Sequence, residues 1–395
     1  TTLDRILKQC HSFVANPDSN YMDDIFAQKL KAFSNPAFNS EDQKKLCTYH
    51  HKLILTEVIP AYQELADSLE SLRGTGKSSR GLAFFEGGRE YYLYLLQSQT
   101  GTYVPVGQIE KRLSAQLLSD YREISSLLKQ NSSLIDRLNQ CSGELTLTPT
   151  QMLEKLPELM KKDFPELKDA TYELRTVHPS MKKFLSPAFY LTPPVDTRTP
   201  NVIYINDSGR TSSLELFGTL AHEGFPGHLY QTVSFAENNP SDIRYLVTSS
   251  GYVEGWATYV ESYGYEYAAS LMNDPDSAQN AVRLAWLNRS MNLCIYSLID
   301  IGIHYRGWDA ARTAVFLKAF GINNASTAAE IYQYIVETPG NYLKYYWGYL
   351  NFLDLKTVCQ KRLGDDFDLK EFHRRILDIG PVQFPVLEKY MKQWN

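Results

Sequence analysis

The chain changes its hydrophobic period in only one short block, and that limits the folds open to it. Apolar residues recur at helical spacing over residues 41–73, 106–139 and from 212 to the end. Three short runs at 172–177, 188–191 and 201–206 are instead β-branched or aromatic and are bounded by Pro and Gly. One block of strands excludes the βαβ alternation of a doubly wound sheet. We expect a mainly α protein with a small antiparallel β-sheet.

This pattern divides the chain into two parts that should form one continuous structural unit. The helical N-terminal part covers residues 1–165, and the second part covers 166–395. Within the second part, the sheet is expected over 166–206 and the helices that carry the chemistry over 212–395. A chain of 395 residues can bury a large core.

Charge and cysteine content exclude several classes of protein. A formal net charge of −5 gives no general attraction to nucleic acid or to an anionic membrane. No apolar run reaches the roughly 18 residues of a membrane span. The five cysteines are scattered without a Cys-x-x-Cys pair, which favours isolated thiols over a disulfide framework or a cysteine metal site. The sequence leaves the oligomeric state open.

The segment 212–231 carries the pattern of a metal site. Ser212 and Glu215 have capping-box spacing, so a helix should begin there. Its apolar positions would carry His222 and Glu223 into the interior. A buried His-Glu pair is costly without a compensating partner. Zinc binds neutral imidazole and carboxylate and would provide one.

The spacing of the two histidines departs from the usual zinc motif. In H-E-x-x-H the second His lies one turn after the first, whereas His228 follows His222 by six residues. An unbroken helix would place it roughly 240° away, on the wrong face. Pro226 and Gly227 lie between them and should break the helix there. The alternative is two unrelated histidines flanking a helix end.

Two later glutamates lie where a third ligand is expected. Glu254 follows His228 by 26 residues, which leaves room for a turn and a returning helix. It would complete a site of two His and one carboxylate. Glu261 lies two turns further on the same face and could hold a ligating His by hydrogen bonding. The alternative is that both belong to a solvated acidic face.

At this point the chain resembles a known family. His-Glu-x-x-Pro-Gly-His-x-x-Gln at 222–231 and Glu-Gly-Trp-Ala-x-Tyr-x-Glu at 254–261 resemble the bacterial family catalogued as domain of unknown function 885. So do Asp-Ile-Gly-Ile-His at 300–304 and the Pro-Gly-Asn-Tyr run from 339. The resemblance covers roughly residues 80–395. It implies a gluzincin-type zinc metallopeptidase, similar in fold to the helical angiotensin-converting-enzyme-like and thermostable-carboxypeptidase groups.

The resemblance also implies roles for the metal set. Zn²⁺ would be held by His222, His228 and Glu254, with Glu223 as general base and Glu261 supporting a ligand. Asn341 and Tyr346 depart from the Gln and Lys expected at their positions, so substrate specificity should differ from that of the family.

Other candidates lie near the C-terminal motifs. His304 or Tyr345 could donate to a developing oxyanion, with Asp300 on the same helical face as His304. The alternatives are a core histidine bonded to Asp300 and a tyrosine that only packs. Arg306 or Lys344 could receive a peptide carboxylate. Tyr349, one turn after Tyr345, is a further substrate-binding candidate.

These residues predict a zinc peptidase acting on oligopeptides, with exopeptidase action of the carboxypeptidase kind left open. A free sheet edge at 188–191 or 202–205 could bind the peptide as an added strand. A zinc amidohydrolase acting on a non-peptide amide and an inactive peptide- or glycan-binding protein are the alternatives. The family and a first residue other than Met favour an extracytoplasmic location, secreted or lipoprotein-anchored, over a cytoplasmic one.

Overall fold

A computed structural model describes residues 2–33, 39–76, 78–168 and 170–394. The chain divides into two compact units, Thr1–Ser79 and Arg80–Asn395. The division that the sequence suggested near residue 165 lies inside the second unit. The reason is non-local packing, because helices that precede the strands pack on helices that follow them. Within the described ranges, no helix combines the length and apolarity needed to cross a bilayer.

The first unit is helical. Its helices are α1 (Thr2–Val14), α2 (Tyr21–Ala32), α3 (Ser40–Leu53) and α4 (Ile59–Ser71), with a 3-10 turn at Pro17–Ser19. The helix predicted over 41–73 is present as α3 and α4, joined by a π-helical turn at Ile54–Val58. Pro60 lies in the first turn of α4 and has no N–H to donate to the preceding turn. Leu7, Cys10 and Ala66 form the centre of a small core.

The second unit contains the remaining helices, which confirms the mainly α class. They are α5 (Gly88–Thr100), α6 (Val106–Gln130), α7 (Leu134–Glu144), α8 (Pro149–Leu159), α9 (Ser213–Glu223), α10 (His228–Glu237), α11 (Ile243–Leu246), α12 (Ser250–Ala269), α13 (Pro275–His304), α14 (Ala310–Lys318), α15 (Ala325–Glu337), α16 (Asn341–Leu363), α17 (Leu369–Ile379) and α18 (Phe384–Met391). Short 3-10 turns lie at Leu82–Phe84, Met160–Lys162, Pro179–Met181 and Gly364–Asp366.

Two predicted helix boundaries show how local sequence acts here. The single helix expected over 106–139 is divided into α6 and α7, because the side chain of Asn131 accepts hydrogen bonds from the N–H and the hydroxyl of Ser133 and forms a turn. The run Thr148-Pro-Thr-Gln has the pattern of a helix start, and α8 begins there. Thr148 and Gln151 form a reciprocal capping box at the beginning of α8.

The predicted small sheet is present, but its strands are not all antiparallel. The strands are β1 (Glu173–Thr176), β2 (Ala188–Leu191) and β3 (Val202–Ile205), in the order β1-β3-β2. β2 and β3 are antiparallel, whereas β1 and β3 are parallel. The antiparallel prediction was wrong because the segment between β1 and β2 carries the chain past the sheet, and β3 returns between them. β3 is therefore central, and β2 is a sheet edge.

Helices α12 and α16 lie at the centre of the core and approach each other closely. A Cβ on Gly255 would lie 2.5–2.9 Å from the backbone of Gly348. Only glycines allow this approach, because any larger residue would separate the two helix backbones. The contact sets one helix that carries Glu254 directly against another that carries Lys344 and Tyr345.

Candidate metal centre

The chain between the two histidines breaks as predicted. The capping box of Ser212 and Glu215 starts α9, which ends at Glu223, and α10 begins at His228. A Cβ on Gly227 would lie 1.8 Å from the carbonyl oxygen of His222. Glycine is therefore required where the chain folds back against the end of α9. The indole N–H of Trp256 donates to the carbonyl of Pro226 at 2.9 Å and fixes this loop to α12.

Glu254 meets both imidazoles from the neighbouring helix. Its Oε2 lies 3.7 Å from Nε2 of His222 and 3.3 Å from Nε2 of His228. The two imidazole rings are nearly perpendicular, with centroids 4.8 Å apart. Ligands about 2.1 Å from a tetrahedral zinc ion lie about 3.4 Å from one another. The donor types and their separations therefore fit a zinc ion held by His222, His228 and Glu254.

Glu223 brings a second carboxylate to the same place. One ligand atom from each of His222, Glu223 and His228 lies within 4.8 Å of the others. Oε2 of Glu223 accepts the backbone N–H of Tyr190, in β2, at 2.9 Å. Two carboxylates thus compete for the ligand role. Glu254 fits the role better, because its Oε2 lies close to both Nε2 atoms, whereas Oε2 of Glu223 accepts a hydrogen bond from the strand.

Glu261 orients His222 from the side away from Glu254. Its Oε2 lies 3.2 Å from Nδ1 of His222, and its Oε1 accepts from Nε of Arg289 at 3.0 Å. Burial opposes ionisation of Glu261, but Arg289 and His222 outweigh it and bring its pKa to about 2. A carboxylate at Nδ1 favours the tautomer that leaves Nε2 free for a metal.

The metal-free cluster carries strong charge coupling. Burial opposes protonation of His222, but hydrogen bonds with Glu254 and Glu261 raise its pKa to about 10. The imidazoles of His222 and His228 hold the pKa of Glu254 well below its usual range, against the effect of burial. A proton on Nε2 occupies the position that a cation would take, and metal binding would release it.

Helix α16 adds Tyr345 and Lys344 to the cluster. The ring of Tyr345 stacks near that of His222, with centroids 6.3 Å apart. Burial and the neighbouring charge of Glu254 raise the pKa of Tyr345, so its hydroxyl stays protonated. The ammonium of Lys344 lies 3.8 Å from Oε1 of Glu254 and 5.1 Å from the Tyr345 ring centroid. Both are hydrogen-bond donors beside the carboxylate.

The structure does not bring His304 to this cluster. Its ring is fully buried, Nδ1 accepts the N–H of Leu82 at 3.1 Å, and Nε2 donates to the carbonyl of Ile335 at 2.9 Å. Burial lowers its pKa to about 4. With both nitrogens bonded to backbone, His304 has none for an oxyanion. It is a core histidine, and it is not bonded to Asp300 as the alternative had supposed.

Asp300 binds the backbone at the start of α16. Its carboxylate accepts the hydroxyl of Tyr92 at 2.5 Å and the backbone N–H of Gly340 at 2.9 Å. Burial raises its pKa to about 7, against the effect of these hydrogen bonds. Asp300 thus fixes the helix that carries Tyr345 but contacts none of the three proposed ligands.

Arg306 and Tyr349 also lie outside the cluster. Arg306 forms a two-point ion pair with Glu110, with 3.1 Å between its Nε and Oε1. Tyr349 is buried, and its ring contacts those of Trp286 and Tyr346. Of the two cations considered for a substrate carboxylate, only Lys344 is beside the proposed ligands.

Two contributors escaped sequence analysis. Arg289 lies in α13, 28 residues beyond Glu261, and belongs to no motif. Tyr190 contributes its backbone N–H, which carries no residue-specific signal. Only the packing of α13 and the position of β2 reveal them.

The comparisons with known proteins support the fold. A family model described as "Bacterial protein of unknown function (DUF885)" matches residues 1–391. A candidate lipoprotein from Colwellia psychrerythraea is similar in structure, with a TM-score of 0.83 and 20% identity over 99% of this chain and 69% of that one. A candidate lipoprotein of unknown function from Shewanella oneidensis follows, with a TM-score of 0.61 and 16% identity over 98% and 73%. No curated protein matches the sequence.

Proposed function

The chain belongs to the DUF885 family of bacterial proteins of unknown function, and we propose that it is a zinc-dependent peptidase that hydrolyses oligopeptides. One observation carries the proposal. Three groups from three separate helices, His222, His228 and Glu254, converge with the separations expected of zinc ligands, and a second carboxylate stands beside them.

The chemistry follows from the positions of the side chains. A zinc ion, when bound, acidifies water and polarises a carbonyl group. Glu223 then accepts the proton of the water that adds to the peptide carbonyl carbon, and it passes that proton to the leaving amine as the C–N bond breaks. The N–H of Tyr190 holds Oε2 of Glu223, which leaves Oε1 for the proton.

Tyr345 and Lys344 provide donors for the charge that develops on the carbonyl oxygen. The raised pKa of Tyr345 keeps its hydroxyl proton available for donation at neutral pH. Lys344 contributes a positive charge next to Glu254. The two are adjacent on α16, so a single helix would bring both to the substrate.

The edge of the small sheet suits a peptide substrate. β2 has β3 on one side only, and the N–H of Tyr190 faces Glu223 on the other. A peptide that added to this edge would lie beside the proposed general base and would bond to main-chain groups of β2 other than the N–H of Tyr190, which Glu223 occupies. The edge formerly considered at 202–205 is excluded because β3 is central.

Metal content and peptide cleavage test the proposal together. The zinc-loaded protein should hold one zinc per chain. It should also cleave members of a peptide library, as detected by mass spectrometry of the digest. His222→Ala should lose the zinc. Glu223→Gln should keep it and hydrolyse peptides about 10²- to 10⁴-fold more slowly. His11→Ala, an exposed histidine of the first unit, is the matched control and should change neither property.

Three outcomes would contradict the proposal. A full zinc content in His222→Ala would show that the metal binds elsewhere. Hydrolysis of non-peptide amides but of no peptide would favour an amidohydrolase. Peptide binding without hydrolysis by the zinc-loaded protein would favour a binding protein.

We further propose an extracytoplasmic location. Its support is that the two structural relatives named above are described as candidate lipoproteins. Fractionation of the native host followed by immunodetection would test it, and recovery in the cytosolic fraction alone would overturn it.

A further inference from the structure

A cavity beside the proposed catalytic cluster has the chemistry of a carboxylate-binding subsite. It encloses about 330 Å³ between α10 and the loop that joins β2 to β3. Pro193, Pro194, Val195 and Val233 supply apolar walls, and Arg198 and Tyr245 supply polar groups. The cavity takes no part in the chemistry described above.

Tyr190 connects the cavity with the general base. Its backbone N–H donates to Glu223 at 2.9 Å, and its hydroxyl donates to Oδ1 of Asn201 at 2.7 Å. Asn201 lines the cavity, and so does Thr192, which follows Tyr190 by two residues. A peptide that followed the β2 edge away from Glu223 would therefore reach it.

Helix α10 gives an approximate distance between His228 and the cavity. It begins at His228, and Thr232, Val233, Ala236 and Glu237 line the cavity four to nine residues later. At 1.5 Å per residue this is about 6–14 Å along the helix axis. An extended peptide advances about 3.3 Å per residue, so this distance from His228 corresponds to roughly two to four peptide residues.

Arg198 is the side chain that would give the cavity a preference for a carboxylate. Among the described residues, no carboxylate lies within ion-pair distance of its guanidinium, which makes only long contacts, 3.5 Å to the carbonyl of Ala236 and 3.4 Å to Oδ1 of Asn239. The guanidinium lies 5.3 Å from the ring centroid of Tyr245, whose buried hydroxyl has no hydrogen-bond partner among those residues. The one acid of the cavity, Glu237, accepts the N–H of Lys168 instead.

The backbone at Arg198 is also unusual. Its φ is +56°, in the left-handed region that non-glycine residues seldom adopt. Its N–H donates to the carbonyl of Pro194 at 2.8 Å, which closes the loop around this conformation. Strained backbone of this kind is concentrated at ligand-binding sites.

We propose that this cavity binds a substrate carboxylate on Arg198, two to four residues from the scissile bond, with an apolar side chain seated against Val195 and Val233. The inference rests on the proposed peptidase function. The carboxylate is either the free C-terminus of the peptide or an Asp or Glu side chain, since a guanidinium can bind either with two parallel hydrogen bonds. In the first case the enzyme releases short C-terminal fragments.

The test compares matched peptides on matched variants. A cleavable peptide is prepared with a C-terminal acid or amide three residues beyond its scissile bond, and in a second pair with Glu or Gln at that position. Arg198→Gln should lower kcat/KM for the preferred carboxylate peptide about 10- to 100-fold and leave its neutral partner unchanged. Arg198→Lys should retain part of the preference. Arg122→Gln, an exposed arginine of α6, is the control.

Binding separates this inference from the proposed function. Titration calorimetry with the same peptides on Glu223→Gln reports affinity while turnover is slowed. Ala236→Phe, which fills the cavity, should weaken carboxylate and neutral peptides alike. Discrimination that depends on Arg198 in this assay supports the subsite even if no peptide is ever cleaved. Equal cleavage and equal binding of acid and amide, and of Glu and Gln, by wild type and Arg198→Gln would overturn it and leave the peptidase proposal intact.

Discussion

Two pairs of imidazoles in the second unit, all buried except the half-buried His228, differ in what their nitrogens contact. Those of His222 and His228 meet carboxylates of α12. Those of His304 and His373 meet backbone or a neutral hydroxyl. His373 donates from Nδ1 to the carbonyl of Asp163 at 2.7 Å and accepts the hydroxyl of Tyr259 at 2.9 Å on Nε2. Burial lowers the pKa of His373 to about 3, whereas that of His222 rises to about 10.

The difference separates two uses of a buried histidine. A ring with one backbone carbonyl and one neutral acceptor or donor is satisfied as a neutral imidazole and serves packing. A ring between carboxylates is satisfied only by a positive charge, which a proton or a metal can supply. The partners of the second nitrogen, and not burial itself, distinguish the two uses.

The largest contrast is expected between an alanine substitution of a histidine bonded to backbone and one of a histidine beside carboxylates. His304→Ala should keep its zinc per folded molecule but lose about 2–5 kcal/mol of unfolding free energy, because the N–H of Leu82 and the carbonyl of Ile335 lose their partner and a cavity forms. His228→Ala should lose the zinc with a smaller effect on the metal-free protein. Urea unfolding in chelator and metal analysis measure both. Zinc loss in His304→Ala at full folding would erase the distinction.

The next effect concerns the loop that brings the two ligands together. Gly227→Ala should destabilise the protein by about 3 kcal/mol, since the new methyl group meets the carbonyl oxygen of His222. It should weaken zinc binding as well. Gly143→Ala in α7, where a Cβ meets nothing within 4 Å, should be neutral or stabilising by up to about 1 kcal/mol. Thermal unfolding with and without zinc provides both values, and equal behaviour of the two variants would refute the close approach.

A smaller effect is expected when the Glu261 carboxylate beside Nδ1 of His222 is neutralised. Glu261→Gln removes the charge at Nδ1 and should weaken zinc binding about 10- to 100-fold, as seen for partners of metal-bound histidines. Glu388→Gln, an exposed glutamate of α18, is the matched control. Competition against a zinc chelator measures both affinities. An unchanged affinity in Glu261→Gln would leave that carboxylate with a structural role only.

The last effect is a pH dependence at Asp300. The folded pKa of Asp300 is raised to about 7 from an ordinary value of 3.8, so the folded state holds this proton more tightly than the unfolded state. Its contribution to stability is therefore complete below about pH 4 and is lost as pH rises through the folded pKa of about 7. The slope is at most about 1.4 kcal/mol per pH unit.

Asp300→Asn isolates this contribution. The difference in unfolding free energy between wild type and variant, measured in chelator from pH 5.5 to pH 8, should change most steeply between pH 5.5 and 7 and level off above pH 7. A difference that is flat over the whole range would show that Asp300 is ionised in the folded protein throughout.

The sequence predicted the helix start, the break and the shared helical face that bring His222, His228 and Glu254 together, because the relevant signals are local. The capping box of Ser212 and Glu215, the break at Pro226 and Gly227, and the face shared by Glu254 and Glu261 each depend on residues within two turns of one another. The same reasoning offered a hydrogen bond between His304 and Asp300 as one alternative, and the two side chains have other partners. The partners of His304 are backbone atoms of Leu82 and Ile335, the first of them 222 residues away, and no side-chain pattern announces them.

By itself the sequence determined the helical class, the single block of strands, the position of the break and the residue types available to a cation, because periodicity, capping and steric rules operate over short stretches of chain. The tertiary structure decided that β3 lies between β1 and β2, that Arg289 stands behind Glu261, and that Lys344 rather than Arg306 lies beside Glu254. These contacts join segments far apart in the chain, and only the packing of helices against one another determines which side chains meet.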